Sequence, residues 1–197
     1  MKLAVIKYNA GNIQSVRFAL ERIGVQPVVT DDPEEIAAAD KVIFPGVGEA
    51  SSAMQYLKEK KLDRVITSLK QPLLGICLGM QLLCGFSEEN NTVCLDVFPG
   101  VRVKRFRPED LSLKVPQVGW NTIYALNTPL FRAVKENEYC YFVHGYYAGI
   151  SGLTIARADY GHEYSAALQK NNFYGVQFHP EKSAAAGELI LKNFLSM

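Results

Sequence analysis

The sequence predicts an α/β fold with a mainly parallel sheet flanked by helices and an appended antiparallel β section. Up to about Ser87, short β-prone apolar runs alternate with segments of helical periodicity. This alternation is typical of parallel strands that are joined by helices. Across residues 101–148 the helical periodicity is absent and short β-prone runs follow one another. The second pattern predicts antiparallel strands added to the parallel sheet.

Each early strand is expected where aliphatic and β-branched residues form a short run between turn residues. The predicted strands of this half are residues 3–8, as a central strand, 25–30, 41–44 and 73–76. Residues 9–12 have the composition of a turn followed by a helix N-cap, and they predict a first helix that ends at Gly24. Pro33 opens a second helix, and apolar residues from Ala50 onward mark a third.

The second half is predicted to be mostly β-structure. Residues 87–95 are polar and indicate a loop, and a final helix is expected from about Ser183. The predicted strands are residues 101–106, 121–124, 140–148, 154–158, 165–169 and 173–178. Because no linker, internal repeat or low-complexity segment interrupts the chain, a single domain spanning residues 1–197 is expected.

Composition narrows the class of protein. An apolar content of 48% and a charged content of 21% are ordinary for a soluble globular protein. A net charge of +1 gives no reason to expect nucleic acid or a membrane surface as partner. No apolar run is long enough to span a bilayer, and the first seven residues do not form a signal peptide, so the cytoplasm is expected.

The four cysteines do not suggest a metal site. They show no C-x-x-C spacing and no neighbouring histidine cluster, so neither structural zinc nor any other metal is expected. In a chain without a signal peptide we expect their thiols to be reduced. These cysteines are Cys77, Cys84, Cys94 and Cys140.

Cys77 lies in a segment with the G-x-nucleophile-x-G form of a nucleophile elbow, between Gly75 and Gly79. A buried strand precedes it and an apolar helix follows. The glycines let strand and helix pass closely around a strained residue. The positive end of the following helix favours the thiolate, which is the reactive form of cysteine. The alternative is that Cys77 is simply a packed core thiol.

His179 and Glu181 are the candidate partners of this cysteine. His179 lies at the carboxyl end of a predicted strand, where α/β sheets place active-site residues. Pro180 holds the preceding residue extended, so the side chains of His179 and Glu181 point the same way. The carboxylate can then orient one imidazole nitrogen while the other faces Cys77. An ordinary strand end is the alternative for the His-Pro-Glu segment alone.

Acyl chemistry also needs donors for an oxyanion. Residues 45–48, Pro-Gly-Val-Gly, follow the third predicted strand, where a backbone donor usually lies beside that of Leu78, the residue after the nucleophile. A Gly-x-Gly segment can also belong to a phosphate loop. No G-x-G-x-x-G or Walker pattern completes such a loop here, so nucleotide binding is not expected.

Residues 75–81, 45–48 and 178–181 resemble the three signatures of the triad (class I) glutamine amidotransferases, whose fold is flavodoxin-like. Four further segments resemble, more narrowly, the glutaminase subunits of imidazole glycerol phosphate synthase, an enzyme of histidine biosynthesis. These segments are residues 9–16, 118–121, 141–146 and 172–178.

The resemblance implies hydrolysis of L-glutamine without a cofactor, with Cys77 as nucleophile, His179 as base and then acid, and Glu181 orienting it. The implied oxyanion hole consists of Val47, Gly48 and Leu78. The implied glutamine-binding residues are Gln81, Glu89, His144, Gly145 and Tyr146.

The resemblance also implies a partner. This is a cyclase (βα)8-barrel that receives the ammonia and converts the ribulosyl nucleotide PRFAR to imidazole glycerol phosphate and AICAR. Glutamine turnover is then weak until the barrel binds its substrate, and a change in the Pro-Gly-Val-Gly strand accompanies activation. The implied interface residues are Asn12, Trp120 and Asn121.

Several positions depart from the family pattern or admit another interpretation. Gln117 stands where histidine is usual, and Gly145 where Ser or Thr is common. From the residues alone, Trp120 suits a core as well as an interface, and His144 suits a hydrogen-bonded core as well as a substrate site. The basic run at residues 102–107 is expected to be a solvated sheet edge.

Three other functions remain open at this point. The chain can serve as the glutaminase subunit of a different synthase, or as a non-catalytic interaction module on the same fold. It can also be a cysteine peptidase or γ-glutamyl hydrolase. An intact Cys, His and Glu set disfavours the module, and the Gly-Trp-Asn segment at residues 119–121 disfavours another synthase.

Overall fold

The computed structural model describes residues 1–9, 11–107 and 113–197. Ala10, which belongs to the turn predicted at residues 9–12, lies outside the described residues. The strands of the described part are β1 Leu3–Ile6, β2 Val28–Thr30, β3 Lys41–Phe44, β4 Leu73–Ile76, β5 Cys84–Ser87, β6 Thr92–Val93, β7 Phe98–Arg105, β8 Gln117–Ile123, β9 Glu138–His144, β10 Tyr146–Ala148, β11 Thr154–Asp159, β12 Glu163–Lys170 and β13 Phe173–Val176.

The helices follow the strands of the first half and close the chain. They are α1 Ile13–Arg22, α2 Pro33–Ala37, α3 Ala50–Glu59, α4 Leu62–Ser68, α5 Leu78–Leu83 and α6 Ala184–Leu195. Asp32 caps α2 by accepting hydrogen bonds from the backbone N–H groups of Glu34 and Glu35. No helix among the described residues is long and apolar enough to cross a membrane.

The largest sheet has seven strands in the order β11-β12-β13-β4-β3-β1-β2 within the described chain. The pairs from β13 through β4, β3 and β1 to β2 are parallel, while β11 and β12 extend the sheet antiparallel. The α/β class with a mainly parallel sheet is therefore confirmed. β1 is an interior strand, but the central position that we predicted for it belongs to β4, which leads into the elbow.

The β-rich section forms two smaller sheets. β8 and β9 pair antiparallel along their whole length, and a second sheet has the order β10-β7-β5-β6. The basic run was predicted to be a sheet edge, which is wrong, because β7 has β10 on one side and β5 on the other. Alternation is nevertheless present, since Val101 and Val103 are buried while Arg102 and Lys104 are exposed.

Both faces of the large sheet are covered by apolar side chains. The strands are buried on both sides, as expected for parallel strands between two layers. Helices α2, α3 and α4 cover one face, and α1, α6 and the β8–β9 pair cover the other. The site therefore stands on a rigid base at the carboxyl ends of β4 and β13.

Several elements differ from the sequence prediction. The pattern did not predict α4 or β5, and the predicted loop at residues 87–95 contains the short strand β6. The helix after the elbow, α5, ends at Leu83, and Cys84 already belongs to β5. The β-prone run at residues 140–148 is split at Gly145, so that β9 and β10 lie in different sheets.

Candidate active site

Cys77 occupies a strained turn between β4 and α5. Its backbone has φ 51° and ψ −107°, a combination that a residue with a side chain rarely adopts. The turn is closed by hydrogen bonds from Cys77 N to Val176 O (2.8 Å) and from Gln81 N to Cys77 O (3.1 Å). The buried sulfur of Cys77 lies 3.7 Å from Val143 O. The predicted elbow geometry is present in the structure.

The flanking glycines of the elbow have a steric cause. A Cβ on Gly79 would lie 1.9 Å from the carbonyl oxygen of Phe44 in β3, and one on Gly75 would lie 2.8 Å from Met80 N. Both distances are far below van der Waals contact. The α5 helix can therefore cross the sheet this closely only because these two positions lack side chains.

His179 and Glu181 form a buried pair directly after β13. His179 Nδ1 donates to Glu181 Oε1 at 2.7 Å, and both side chains are fully buried. Asn12 Nδ2 donates to the same carboxylate oxygen and lies 3.3 Å from His179 Nδ1. Among the described residues, His179 Nε2 and Glu181 Oε2 have no hydrogen-bond partner. One imidazole nitrogen is thus held while the other is free to exchange a proton.

The charges around His179 favour its protonated form. Burial lowers the pKa of His179, but attraction to the Cys77 sulfur and the hydrogen bond to Glu181 outweigh it. The net effect raises its pKa from 6.5 to about 10. At neutral pH the arrangement therefore favours an imidazolium that can donate a proton to a leaving group.

A cavity of about 260 Å³ opens at Cys77. This volume suits a ligand smaller than a typical drug, such as an amino acid. It is lined by Cys77 and by all eight residues predicted for the oxyanion hole and for glutamine binding. These eight are Val47, Gly48, Leu78, Gln81, Glu89, His144, Gly145 and Tyr146. The structure therefore brings together residues that are as far as 99 positions apart, from 47 to 146.

The backbone donor of Leu78 is occupied in this structure. Its N–H donates to Gly46 O at 3.2 Å, so it is not directed at a substrate oxygen. The Val47 carbonyl accepts from Gly11 N, also at 3.2 Å. Because the peptide is trans, the N–H of Gly48 points away from Gly11. Leu78 can bind an oxyanion only after the Gly46–Val47 peptide has turned.

Gln177 is a contact residue of Cys77 that the sequence did not reveal. Its Nε2 donates to Cys77 Sγ at 3.6 Å, and its Oε1 accepts from Gln81 Nε2 at 2.9 Å. Gln81 also donates to Tyr146 O at 2.9 Å. The predicted substrate residue Gln81 is thus held in place by the fold. The only signal for Gln177 is its position directly after β13 and two residues before His179.

Glu89 joins the cavity to the start of α3. Its Oε2 accepts from Ala50 N at 2.7 Å. Burial raises the pKa of Glu89, opposed by this hydrogen bond and assisted by the nearby charge of Glu49. Glu49 in turn caps α3 by accepting from Ser51 N at 2.9 Å. The segment between β3 and α3 is therefore fixed at its carboxyl end.

His144 is a hydrogen-bonded, buried histidine that also lines the cavity. Its Nδ1 donates to Tyr146 O at 2.7 Å, and its Nε2 lies 3.4 Å from the Tyr164 hydroxyl. Burial lowers the pKa of His144 to about 4, against an opposing contribution from the Tyr146 carbonyl, and the charge on His179 lowers it further. Both interpretations that we gave for this residue therefore agree with its position.

Protonation of His144 is expected to destabilise the fold in mild acid. The unfolded chain binds a proton near pH 6.5 and the folded chain only near pH 4, so the free energy of unfolding falls as the pH drops between these values. The full shift corresponds to about 3 kcal/mol. Urea unfolding at several pH values between 4 and 7 measures how steeply the free energy of unfolding changes with pH. His144→Gln, which cannot titrate, should flatten this dependence, and an unchanged slope would contradict the assignment.

The three predicted interface residues differ in their surroundings. Trp120 is 53% exposed, with its ring edge-on to Tyr141 at 5.8 Å. Asn121 lies on the opposite face of β8 and donates to Asp159 O at 2.8 Å. Asn12 is directed at Glu181 and makes no side-chain cap for α1. Only Trp120 of these three therefore presents a large apolar side chain to solvent.

In the part of the chain that the structure describes, no group of three or more His, Cys, Asp or Glu side chains is arranged to hold a metal ion. The cavity is lined by the Cys77 thiol, the Glu89 carboxylate, the His144 imidazole and backbone groups, while the His179–Glu181 pair lies beside Cys77 outside the lining. Cys77 together with this pair can carry out nucleophilic acyl transfer with proton transfer by His179.

Comparison with known proteins agrees with this geometry. A model of the family "Glutamine amidotransferase class-I" matches residues 4–197. The imidazole glycerol phosphate synthase subunit HisH of Bacteroides fragilis (strain YCH46) is 58% identical over the full length of both chains. HisH of Bacteroides thetaiotaomicron is 55% identical, again over both full chains.

A solved glutamine amidotransferase superposes with a TM-score of 0.75 at 15% identity, covering 98% of this chain and 97% of the other. That likeness shows the fold. The family match over nearly the whole sequence, together with relatives above half identity, shows the family. The chain belongs to the class-I glutamine amidotransferases.

Proposed function

We propose that this chain is the glutaminase subunit of an imidazole glycerol phosphate synthase in histidine biosynthesis. It hydrolyses L-glutamine to glutamate and ammonia through a γ-glutamyl thioester on Cys77. The observation that carries the proposal is a buried, hydrogen-bonded His179–Glu181 pair beside a cysteine in a strained elbow. Full-length relatives that are named as subunits of this synthase support it.

In the first half-reaction, the Cys77 thiolate attacks the side-chain amide carbon of glutamine. His179 Nε2 then gives a proton to the amide nitrogen of the tetrahedral intermediate, the C–N bond breaks, ammonia leaves and the thioester remains on sulfur. Glu181 holds the Nδ1–H at 2.7 Å and stabilises the imidazolium. Asn12 donates to the same carboxylate and keeps it oriented. His179, Glu181 and Asn12 thus act as one proton-transfer unit beside Cys77.

In the second half-reaction, His179 takes a proton from water, which attacks the thioester carbon and releases glutamate.

The cavity residues bind the amino-acid end of the substrate. Glu89 is suited to the α-ammonium group, since it is the carboxylate that lines the pocket. The proposed subsite for the α-carboxylate is the backbone of His144, Gly145 and Tyr146. Both amide hydrogens of Gln81 are engaged, so its remaining acceptor, Oε1, suits the α-ammonium group.

The oxyanion step predicts that turnover depends on activation. Leu78 N–H is engaged by Gly46 O, so the tetrahedral intermediate lacks this donor in the resting arrangement. Loss of one such donor typically lowers turnover by about 10²- to 10³-fold. We therefore expect slow hydrolysis by the chain alone, and faster hydrolysis once the Gly46–Val47 peptide turns.

The proposed partner is a cyclase (βα)8-barrel that uses the ammonia to convert PRFAR to imidazole glycerol phosphate and AICAR. An exposed apolar face on β8 and β9 is suited to such a partner, since Val118, Trp120 and Tyr139 are each more than half exposed. The same pair of strands reaches the site: Tyr141 O accepts from His179 N at 2.8 Å. A partner docked on this face would therefore contact a strand bonded to the catalytic histidine.

Glutamate release from glutamine tests the proposal. The chain is assayed alone, with a separately purified cyclase barrel, and with barrel plus PRFAR. We expect low turnover alone and a rise of about 10²-fold or more in the full mixture, from recovery of the oxyanion donor. A barrel from an unrelated pathway serves as control.

Each outcome separates the functions that remain. High turnover alone without response to barrel or PRFAR would retain the glutaminase and reject the partner. Turnover of γ-glutamyl peptides in preference to glutamine would favour a γ-glutamyl hydrolase. No glutamate under any condition would favour the interaction module.

A further inference from the structure

Tyr8 is a buried residue that the proposed mechanism does not use. It follows β1 by two positions, and its ring lies against Phe44 at the end of β3, with centroids 5.3 Å apart. Its side chain is 5% exposed. The hydroxyl donates to the carbonyl oxygen of Pro45 at 2.6 Å. A polar group is thus buried at the first residue of the oxyanion segment, residues 45–48.

The oxyanion segment is held on both sides of one peptide. Tyr8 fixes the carbonyl of Pro45, and Gly11 N fixes the carbonyl of Val47 at 3.2 Å. Between them lies the Gly46–Val47 peptide, whose oxygen blocks the Leu78 N–H. That peptide turns by rotation about ψ of Gly46 and φ of Val47, which leaves the Pro45 carbonyl in place.

The Tyr8 hydroxyl also lies directly against Gly46. A Cβ on Gly46 would be 2.0 Å from Tyr8 Oη and 3.1 Å from Leu78 Cβ. The glycine is therefore packed between the tyrosine hydroxyl and the residue that follows the nucleophile. A shift of Tyr8 would change the distance between the turning peptide and Leu78.

We infer that Tyr8 is a positioning residue for the oxyanion hole. Its hydroxyl anchors the Pro45 carbonyl, so that only the next peptide turns and its N–H arrives at a defined distance from Cys77. Without the anchor, the whole segment can shift along with the peptide. Tyr8 acts through the backbone and does not touch the substrate. This inference rests on the proposed glutaminase function and adds a specific role within it.

The test is Tyr8→Phe, which keeps the ring against Phe44 and removes only the hydroxyl. In the complex with the cyclase barrel and PRFAR, kcat for glutamate release should fall by about tenfold or more, because donors that are misplaced by a fraction of an ångström stabilise the oxyanion poorly. KM for glutamine should stay within about twofold, since the amino-acid subsite is unchanged.

Alkylation of Cys77 by iodoacetamide provides a readout that separates positioning from general damage. The thiolate displaces iodide at a saturated carbon, so no oxyanion forms and no oxyanion donor is needed. The alkylation rate in Tyr8→Phe should therefore equal that of the unmodified chain. Tyr56→Phe is the matched control, because it removes a tyrosine hydroxyl bond to Asp31 (3.1 Å) among residues that do not line the cavity. It should leave kcat unchanged.

Thermal unfolding of both variants shows that they are folded under assay conditions. An unchanged kcat in Tyr8→Phe, in a complex that Cys77→Ala inactivates, would overturn the role of Tyr8 and leave the glutaminase intact. Equal losses in hydrolysis and alkylation would also overturn it, because Tyr8 would then act on the thiol or the fold. Absence of glutamate release by the unmodified complex would reject the proposed function itself.

Discussion

Cys77→Ala is expected to abolish glutamate release, both in the chain alone and in the complex with barrel and PRFAR. Alanine offers no atom to form the thioester, and neither His179 nor the backbone donors can replace it. A loss of at least about 10⁴-fold is expected, because removing the nucleophile of a catalytic unit costs nearly as much as removing the whole unit. Glutamate is measured with an enzyme-coupled assay.

A matched variant and a second reaction make this test specific. Cys84→Ala removes another buried thiol seven positions further on, one whose sulfur contacts Met80 O and does not line the cavity, so near-normal turnover is expected. With added ammonium salt, the Cys77→Ala complex should still convert PRFAR, because the barrel then needs no glutaminase. Glutamate release retained in Cys77→Ala would contradict the assigned nucleophile.

The elbow could be predicted from the sequence because the glycines that it requires lie within two residues of Cys77. Gly75 and Gly79 flank Cys77 at a spacing that only a sharp strand-to-helix turn requires, and the structure supplies the reason as contacts with Met80 N and Phe44 O. The His-Pro-Glu segment was predictable only in part. His179 is extended before Pro180, as expected, but Pro180–Lys182 form a short 3-10 helix, so the contact with Glu181 is made across a turn and not along an extended segment. Sequence patterns therefore identified the residues that the fold brings together around the thiol.

Other contacts of the site depend on segments that are far apart in the chain. Asn12 has the composition of a helix cap, yet its side chain contacts Glu181, 169 residues away, and leaves the helix end without a side-chain cap. Gln177 and Tyr8 lie in ordinary β-prone runs. Their partners, Cys77 and Pro45, are decided by the order of strands in the sheet. No periodicity in the sequence contains this information.

Strand pairing and peptide orientation likewise cannot be predicted from local sequence patterns. A β-prone run shows that a strand forms, but it does not show which strand pairs with it, so the division at Gly145 between two sheets was not visible. The orientation of the Gly46–Val47 peptide depends on two dihedral angles, ψ of Gly46 and φ of Val47, and glycine leaves the first of them free. Whether Leu78 N–H is free or blocked therefore had to come from the structure.

Gly79→Ala is expected to lower the stability of the fold strongly. The added Cβ would lie 1.9 Å from Phe44 O, a backbone atom of β3, so α5 or the sheet has to move. Backbone cannot give way as the end of a side chain does. The free energy of unfolding should fall by about 3 kcal/mol or more, at the upper end of overpacking effects. Urea unfolding followed by circular dichroism measures the loss.

Gly152→Ala is the matched control for this substitution. A Cβ on Gly152 would meet nothing within 4 Å. Its unfolding free energy should stay within about 0.5 kcal/mol of the unmodified chain. Equal urea midpoints for the two variants would show that α5 does not cross β3 as closely as the elbow requires. A large loss of stability in Gly79→Ala alone would show that the residue after Leu78 must lack a side chain. The turn at Cys77 would then require glycine because α5 contacts the end of β3 at this position.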